Sequence, residues 1–237
     1  MNKKRISGKS ENMCYENMHT TEVPIGYDVL AVNAELARRN RNALEKFGIT
    51  AFNIMGAIGS GKTLLIEKTI ERMGKTYRIG AIAGDVVARI DAARFEKYGI
   101  PVIGLNTGKE CHLDAHLVEH GLEKLPLDSL DILFIENVGN LICPADFELG
   151  EHKRVVIVSV SEGDDIVEKH PTIFTIADLI IVNKIDIAEA VSADADKMVK
   201  DARIINPRID VLKMSLKTGE GFEEWTDFVK GSIKRIE

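Results

Sequence analysis

The run Gly56-Ala57-Ile58-Gly59-Ser60-Gly61-Lys62-Thr63 has the spacing G-x-x-x-x-G-K-[ST], and Leu64 carries it into an apolar helical pattern. Glycines at these positions let the backbone curl around phosphate oxygens with its N–H groups pointing inward, and the helix N-terminus adds partial positive charge. Lys62 then reaches the β and γ phosphates, and Thr63 offers a hydroxyl ligand to Mg²⁺. Two acids close apolar runs elsewhere: Asp85 follows residues 79–83, and Glu136 follows residues 132–135 with Gly139 just beyond. Either carboxylate suits the Mg²⁺ shell or the attacking water, and the Gly139 amide suits the γ-phosphate. Asp85 is also of the right type to cap the helix that follows it.

Asn183-Lys184-Ile185-Asp186 follows the apolar run 179–182 and resembles the N-K-x-D motif by which GTPases select guanine. A carboxylate at Asp186 accepts from the ring N–H and the exocyclic amine of guanine, whereas adenine would leave it unpaired. Ser215-Leu216-Lys217 looks like the second base-contacting loop of such proteins, or else a plain turn opening a helix. The ligand implied is GTP or GDP.

A softer set of ligands sits nearby in the chain. Cys111-His112 follows Gly108-Lys109-Glu110, and Cys143 lies four residues beyond Gly139. Thiolate and imidazole suit Ni²⁺ or Zn²⁺, but two cysteines and one histidine leave a single chain short of a closed tetrahedral site. A second copy would complete it. His116, four residues after His112, is a further ligand candidate, as is Asp114. The competing reading is that the cysteines are reduced, buried and act as small hydrophobes.

The elements that must position these groups follow from periodicity. Strands are predicted at 51–55, 79–83, 102–105, 132–135, 155–160, 179–182 and 211–214, several of them continuously apolar, as burial on both faces requires. Helices are predicted after the Gly-rich turn and at 86–98, 113–123, 193–204 and 221–233. That order predicts an α/β fold: a doubly wound, mostly parallel sheet with helices on both faces. Residues 26–48 read as a helical lead-in interrupted at 38–42, residues 1–25 as a flexible polar tail, and residues 49–237 as the nucleotide domain.

The 237 residues fit one ordinary core, and 31 Lys+Arg against 37 Asp+Glu give a net charge of −6, which disfavours a chain built to coat nucleic acid or an anionic membrane. At 45% hydrophobic and 29% charged the chain is not wholly disordered, and with 5% aromatics its core must be mostly aliphatic. Three cysteines are too few for a disulfide scaffold, and neither a signal peptide nor a spanning segment is visible, so a cytoplasmic location is expected.

Taken together, the phosphate loop, Asn106–His112 with its Cys-His pair, Glu136-Asn137-Val138-Gly139-Asn140 leading to Cys143-Pro144, Glu162-Gly163-Asp164-Asp165 and Asn183–Asp186 resemble the hydrogenase nickel-incorporation GTPases. These belong to the same P-loop class as the signal recognition particle GTPases and the dimerising ATPases of cell division. The resemblance spans nearly all of the chain after the tail. It implies slow GTP hydrolysis with Mg²⁺, GTP-promoted homodimerisation, and a nickel or zinc site from Cys111, His112 and Cys143. It also implies two partners, the hydrogenase large-subunit precursor and a second nickel-maturation accessory protein. Some members carry an N-terminal nickel-storing segment; Cys14 and His19, with Met13 and Met18, offer too few ligands for one. A urease- or cobalamin-type accessory GTPase is the nearest alternative, although urease relatives are expected to show Cys-Pro-His where Ala145 follows Pro144 here. A P-loop small-molecule kinase and a zinc-binding interaction module are the others.

Overall fold

The continuously apolar runs are strands in the computed structural model, which describes residues 28–85, 89–108 and 110–233. They are β1 (Thr50–Gly56), β2 (Ile79–Asp85), β3 (Val102–Asn106), β4 (Ile132–Gly139), β5 (Lys153–Ser159), β6 (Leu179–Asn183) and β7 (Asp210–Lys213). All seven lie in one sheet of order β3-β2-β4-β1-β5-β6-β7, with every neighbouring pair parallel. The helices are α1 (Val29–Lys46), α2 (Lys62–Met73), α3 (Arg89–Glu96), α4 (Ala115–Leu122), α5 (Ile166–Lys169), α6 (Pro171–Thr175), α7 (Ala195–Ile205) and α8 (Phe222–Ser232). The doubly wound α/β expectation holds, and the short α5 and α6 add to it.

Successive strand residues face opposite sides of a sheet, so each strand serves two cores. In β4, Phe134 joins Phe52 and Ile54 beneath α2, α3 and α8. Leu133 and Ile135 pack instead with Leu44 of α1 and Val118 and Leu122 of α4. Under α5, α6 and α7 lie Val156, Val158, Ile180 and Val182. The core is mainly aliphatic, but its aromatics gather: Phe52 stands 5.4 Å from Phe134 and 6.2 Å from Trp225 between ring centroids. Burying a ring of this size contributes about 2–3 kcal/mol, and the Trp225 indole N–H is satisfied by the Thr69 hydroxyl at 2.8 Å.

Helix α1 corrects one expectation, for it runs unbroken through 38–42. Its buried stripe is Asn33, Ala37, Asn40 and Leu44, while Val29 and Val32 are exposed. Asn40 is buried with both amide N–H groups used: Nδ2 donates to the backbone carbonyls of Ala115 and Leu149, at 2.8 and 2.9 Å. Asn33 adds a bond from the Ala115 N–H to its Oδ1, also 2.8 Å. What reads as a polar break is the face by which α1 grips the start of α4.

The predicted tail 1–25, with Cys14, His19, Met13 and Met18, lies outside the described residues, as do residues 86–88, Lys109 and residues 234–237. Among the described residues no helix is long and apolar enough to cross a membrane.

Candidate functional site

β1 lies between β4 and β5, so the chain leaves its end where neighbouring connections diverge, and parallel sheets open a crevice at that point. The loop after β1 turns there into α2. Gly61 holds φ at 116°, and a Cβ on it would sit 2.4 Å from Asn183 Nδ2, so only glycine lets the loop pass this close to β6. Gly139 is required for another reason: a Cβ on it would meet Ile58 Cγ1 at 2.3 Å.

At the phosphate end a cleft of about 260 Å³ is lined by Lys62, Thr63, Asp85, Asp91, Arg94, Glu136 and Gly139, among others. Lys62 is buried, and its ammonium donates to the carbonyls of Gly56 and Ala57, both at 3.0 Å. Burial holds that ammonium below its ordinary pKa, against the opposing pull of Glu136, Asp85, Asp91 and Glu162. The β1–β4 register sets Ile54 opposite Glu136, which brings this carboxylate beside the loop. Glu136 Oε1 accepts from the Thr63 hydroxyl at 2.7 Å, whereas Oε2 is buried with no hydrogen-bond partner. Burial pushes its pKa up to about 7, although the bond from Thr63 and the charge of Lys62 work against this. A hydroxyl, a cluster of carboxylates and one unsatisfied buried oxygen form a hard donor set of the kind Mg²⁺ takes. Ser60 Oγ is a second buried atom without a partner.

At the base end a mostly apolar cleft of about 260 Å³ is lined by Gly61, Leu64, Asn183, Lys184, Asp186, Leu216 and Lys217, among others. It shares Gly61 and Leu64 with the phosphate end, so the two form one trough. Asn183 Nδ2 donates to Ser60 O at 2.8 Å and its Oδ1 accepts from Leu216 N at 3.3 Å, tying the phosphate loop to both base-side loops. Ser215, fully buried, donates to Asp186 Oδ1 at 2.7 Å, and Lys217 Nζ lies 3.9 Å from Oδ2. Lys184 takes a left-handed backbone with φ at 62°, which lysine adopts only where the surroundings impose it.

The soft ligands converge within one chain. A ligand atom from each of Cys111, His112 and Cys143 lies within 4.8 Å of the others. Among the described residues no other histidine, cysteine or acid joins this cluster. His112 stacks on Phe147 with centroids 3.8 Å apart, and contact with Cys143 holds the Cys111 thiol above its ordinary pKa. Asp114 caps α4 through a bond from Leu117 N, and His116 pairs with His120 instead.

The end of β4 reaches both centres. Asn137 Oδ1 accepts from Leu113 N at 3.1 Å, and Asn140 Nδ2 donates to Cys111 O at 3.3 Å while its Oδ1 accepts from Ile142 N at 2.8 Å. Sequence reasoning missed Asn137 and Asn140 as site residues, along with Asp91 and Arg94. Asp91 approaches the Thr63 hydroxyl at 3.5 Å from α3, where no motif marks it.

A larger hollow of about 530 Å³ lies between α1 and the start of β5. It is at the amino end of the strands, and its Arg154 is already paired with Glu151 and Glu148. It is not where a parallel sheet binds nucleotide.

Comparison with known proteins agrees with this geometry. Residues 50–213 match the family described as CobW/HypB/UreG, nucleotide-binding domain. The chain is 59% identical over 220 residues to a probable hydrogenase maturation factor HypB of Methanocaldococcus jannaschii, covering 92% of this chain and 100% of that one. The chain belongs to the HypB family of hydrogenase maturation factors. The crystal structure of HypB from Archaeoglobus fulgidus superposes with a TM-score of 0.82 at 59% identity, covering 86% of this chain and 100% of the other. That of Helicobacter pylori HypB in complex with nickel gives 0.80 at 31% identity, covering 87% and 99%. The matched segment includes the trough residues from Ile58 to Ile187.

Proposed function

We propose that this HypB-family chain hydrolyses GTP with Mg²⁺ and uses the change of nucleotide state to hold and release nickel, or zinc, for a [NiFe] hydrogenase. Asp186 would accept the two guanine N–H groups, with Ser215 and Lys217 steadying it, while Asn183 keeps the base loops against the phosphate loop. Lys62 would exchange the carbonyls of Gly56 and Ala57 for phosphate oxygens. Thr63 and Glu136, with Asp85 and Asp91 alongside, would hold Mg²⁺, which when bound offsets charge on the phosphates. The Gly139 amide would face the γ-phosphate.

The single observation that carries the reading is the end of β4, where Glu136 bonds Thr63 and Asn140 bonds Cys111, so that one short segment touches both centres. A change at the γ-phosphate that moves Gly139 would act on Cys111 and Cys143 through bonds already in place. The cargo site supports release as well. Two thiolates and one imidazole leave open coordination positions, unlike a closed structural zinc site, so a receiving ligand has somewhere to attack. Pairing of two copies, promoted by GTP, would enclose the site, and the hydrogenase precursor with a second maturation protein would take the metal.

The test is nickel affinity and molecular mass of the full chain with Mg²⁺, loaded with GDP or with a non-hydrolysable GTP analogue. The reading expects a different nickel affinity in the two states and a doubled mass with the analogue. Equal affinity and equal mass would refute the switch.

A further inference from the structure

A polar chain crosses one face of the sheet that is otherwise apolar. Ala51 of β1 and Leu133 and Ile135 of β4 pack there with Leu44 and Val118. Asn53 of β1 and Asn137 of β4 lie on the same face two residues further on, and they are 0% and 1% exposed. Amides buried in such a place cost free energy unless they are hydrogen-bonded. Asn137 Oδ1 accepts from the N–H groups of Leu113 and Val138, at 3.1 and 2.9 Å, which leaves Nδ2 to donate to Asn53 Oδ1 at 3.2 Å. Asn53 Nδ2 in turn donates to Glu151 Oε1 at 3.2 Å. Glu151, just before β5 and 3% exposed, also accepts from Arg154 Nε at 2.7 Å and from the Leu149 N–H at 2.8 Å. Leu149 closes the circuit, because its carbonyl accepts from Asn40, whose amide also reaches the Ala115 carbonyl.

The two ends of this circuit therefore grip the N–H of Leu113 and the carbonyl of Ala115, the residues that lead from Cys111-His112 into α4. We propose that Glu151 is a positioning residue for the nickel site proposed above, on which this inference rests. Through Asn53 and Asn137 on one side, and Leu149 and Asn40 on the other, it fixes the segment that aims Cys111 and His112 at Cys143. The chemistry requires a carboxylate. Glu151 receives three N–H groups on two acceptor oxygens, whereas a glutamine of the same size has one acceptor oxygen and turns an amine toward a donor. Glu151 sits at the amino end of the strands, away from the trough, so its influence falls on the metal ligands and not on the base and phosphate loops. Hydrogen-bonded networks of this kind act as units, and paired substitutions separate their effect from packing.

The test uses the full chain loaded with GDP and Mg²⁺. Ni²⁺ is titrated while the thiolate-to-nickel charge-transfer absorption is followed, and hydrogen exchange of the Leu113 amide is measured by NMR before the metal is added. E151Q is expected to weaken nickel binding about tenfold or more, the usual effect of losing an outer partner of a metal site, and to speed exchange at Leu113 by about the same factor. GDP affinity should stay within about threefold. N53D combined with E151Q returns a carboxylate to the circuit one step along, where Asp at 53 accepts from both Asn137 and Gln at 151. That double variant should bind nickel at least about threefold more tightly than E151Q alone. If E151Q does not fold, N53S opens the same link without stripping Arg154 of its partner and carries the same expectations. Nickel binding and Leu113 exchange unchanged in a folded variant would overturn the proposal, as would a loss of GDP affinity equal to the loss for nickel. A wild-type chain with no charge-transfer band would overturn the nickel site itself and this inference with it, so the two failures are told apart.

Discussion

The two ends of the trough are built differently. At the base end the donors and acceptors are matched within the protein: Asn183 bridges Ser60 and Leu216, and Ser215 holds Asp186. At the phosphate end Glu136 Oε2 and Ser60 Oγ are buried without partners, and Lys62 is folded back on its own loop. Buried polar atoms left unpaired cost free energy, so the phosphate end is the part whose energy a ligand changes most. On the proposed function, selection of the base is preformed, while the response is reserved for the end that would face the γ-phosphate.

The sharpest test of this contrast is K62A. It removes the ammonium that, on the proposed function, turns from carbonyls to phosphates, and kcat/KM for GTP is expected to fall about 1,000-fold or more. If the fall is within tenfold, the phosphate end is not where the response resides. At the other end, D186N retains an acceptor for Ser215 but presents an amine to guanine's own donors. GTP affinity should fall roughly 300-fold and xanthosine triphosphate should gain, read by nucleotide competition. Unchanged base preference would show that Asp186 does not read the base.

The smallest effect is a pH signature of the nucleotide-free, chelator-treated protein. Glu136 has a folded-state pKa of about 7, above its ordinary value of 4.5, because burial disfavours the carboxylate. Between these values the folded state binds more protons than the unfolded one, so stability falls as pH rises and levels off above about pH 7. The expected loss is about 2–3 kcal/mol, and E136Q should flatten it. Urea unfolding at pH 5 and pH 8 measures both; an equal slope in E136Q would locate the charge elsewhere.

The strands were legible because unbroken apolar runs have few other uses, and the phosphate loop and Asn183–Asp186 because their residues are contiguous. Asp91 and Arg94 were not, since they reach the cleft from a helix whose sequence carries no motif. The gathering of Cys111, His112 and Cys143 in one chain depends on β3 and β4 ending on the same side of the sheet, separated only by β2, and spacing along the chain does not report that. Residues 38–42 misled for a similar reason. An asparagine that satisfies distant carbonyls is indistinguishable, in sequence, from one facing water.

The grip of α1 on Ala115 has a bearing on where the working unit begins. The segment matching the family starts at residue 50, yet Asn33 and Asn40, upstream of it, hold both the N–H and the carbonyl of Ala115, four residues after Cys111. Excising the matched segment alone would preserve the cradle for nucleotide and strip the metal-bearing loop of its brace. The border of the matched segment and the border drawn by mechanics are, in this molecule, some seventeen residues apart, counting from Asn33 to residue 50.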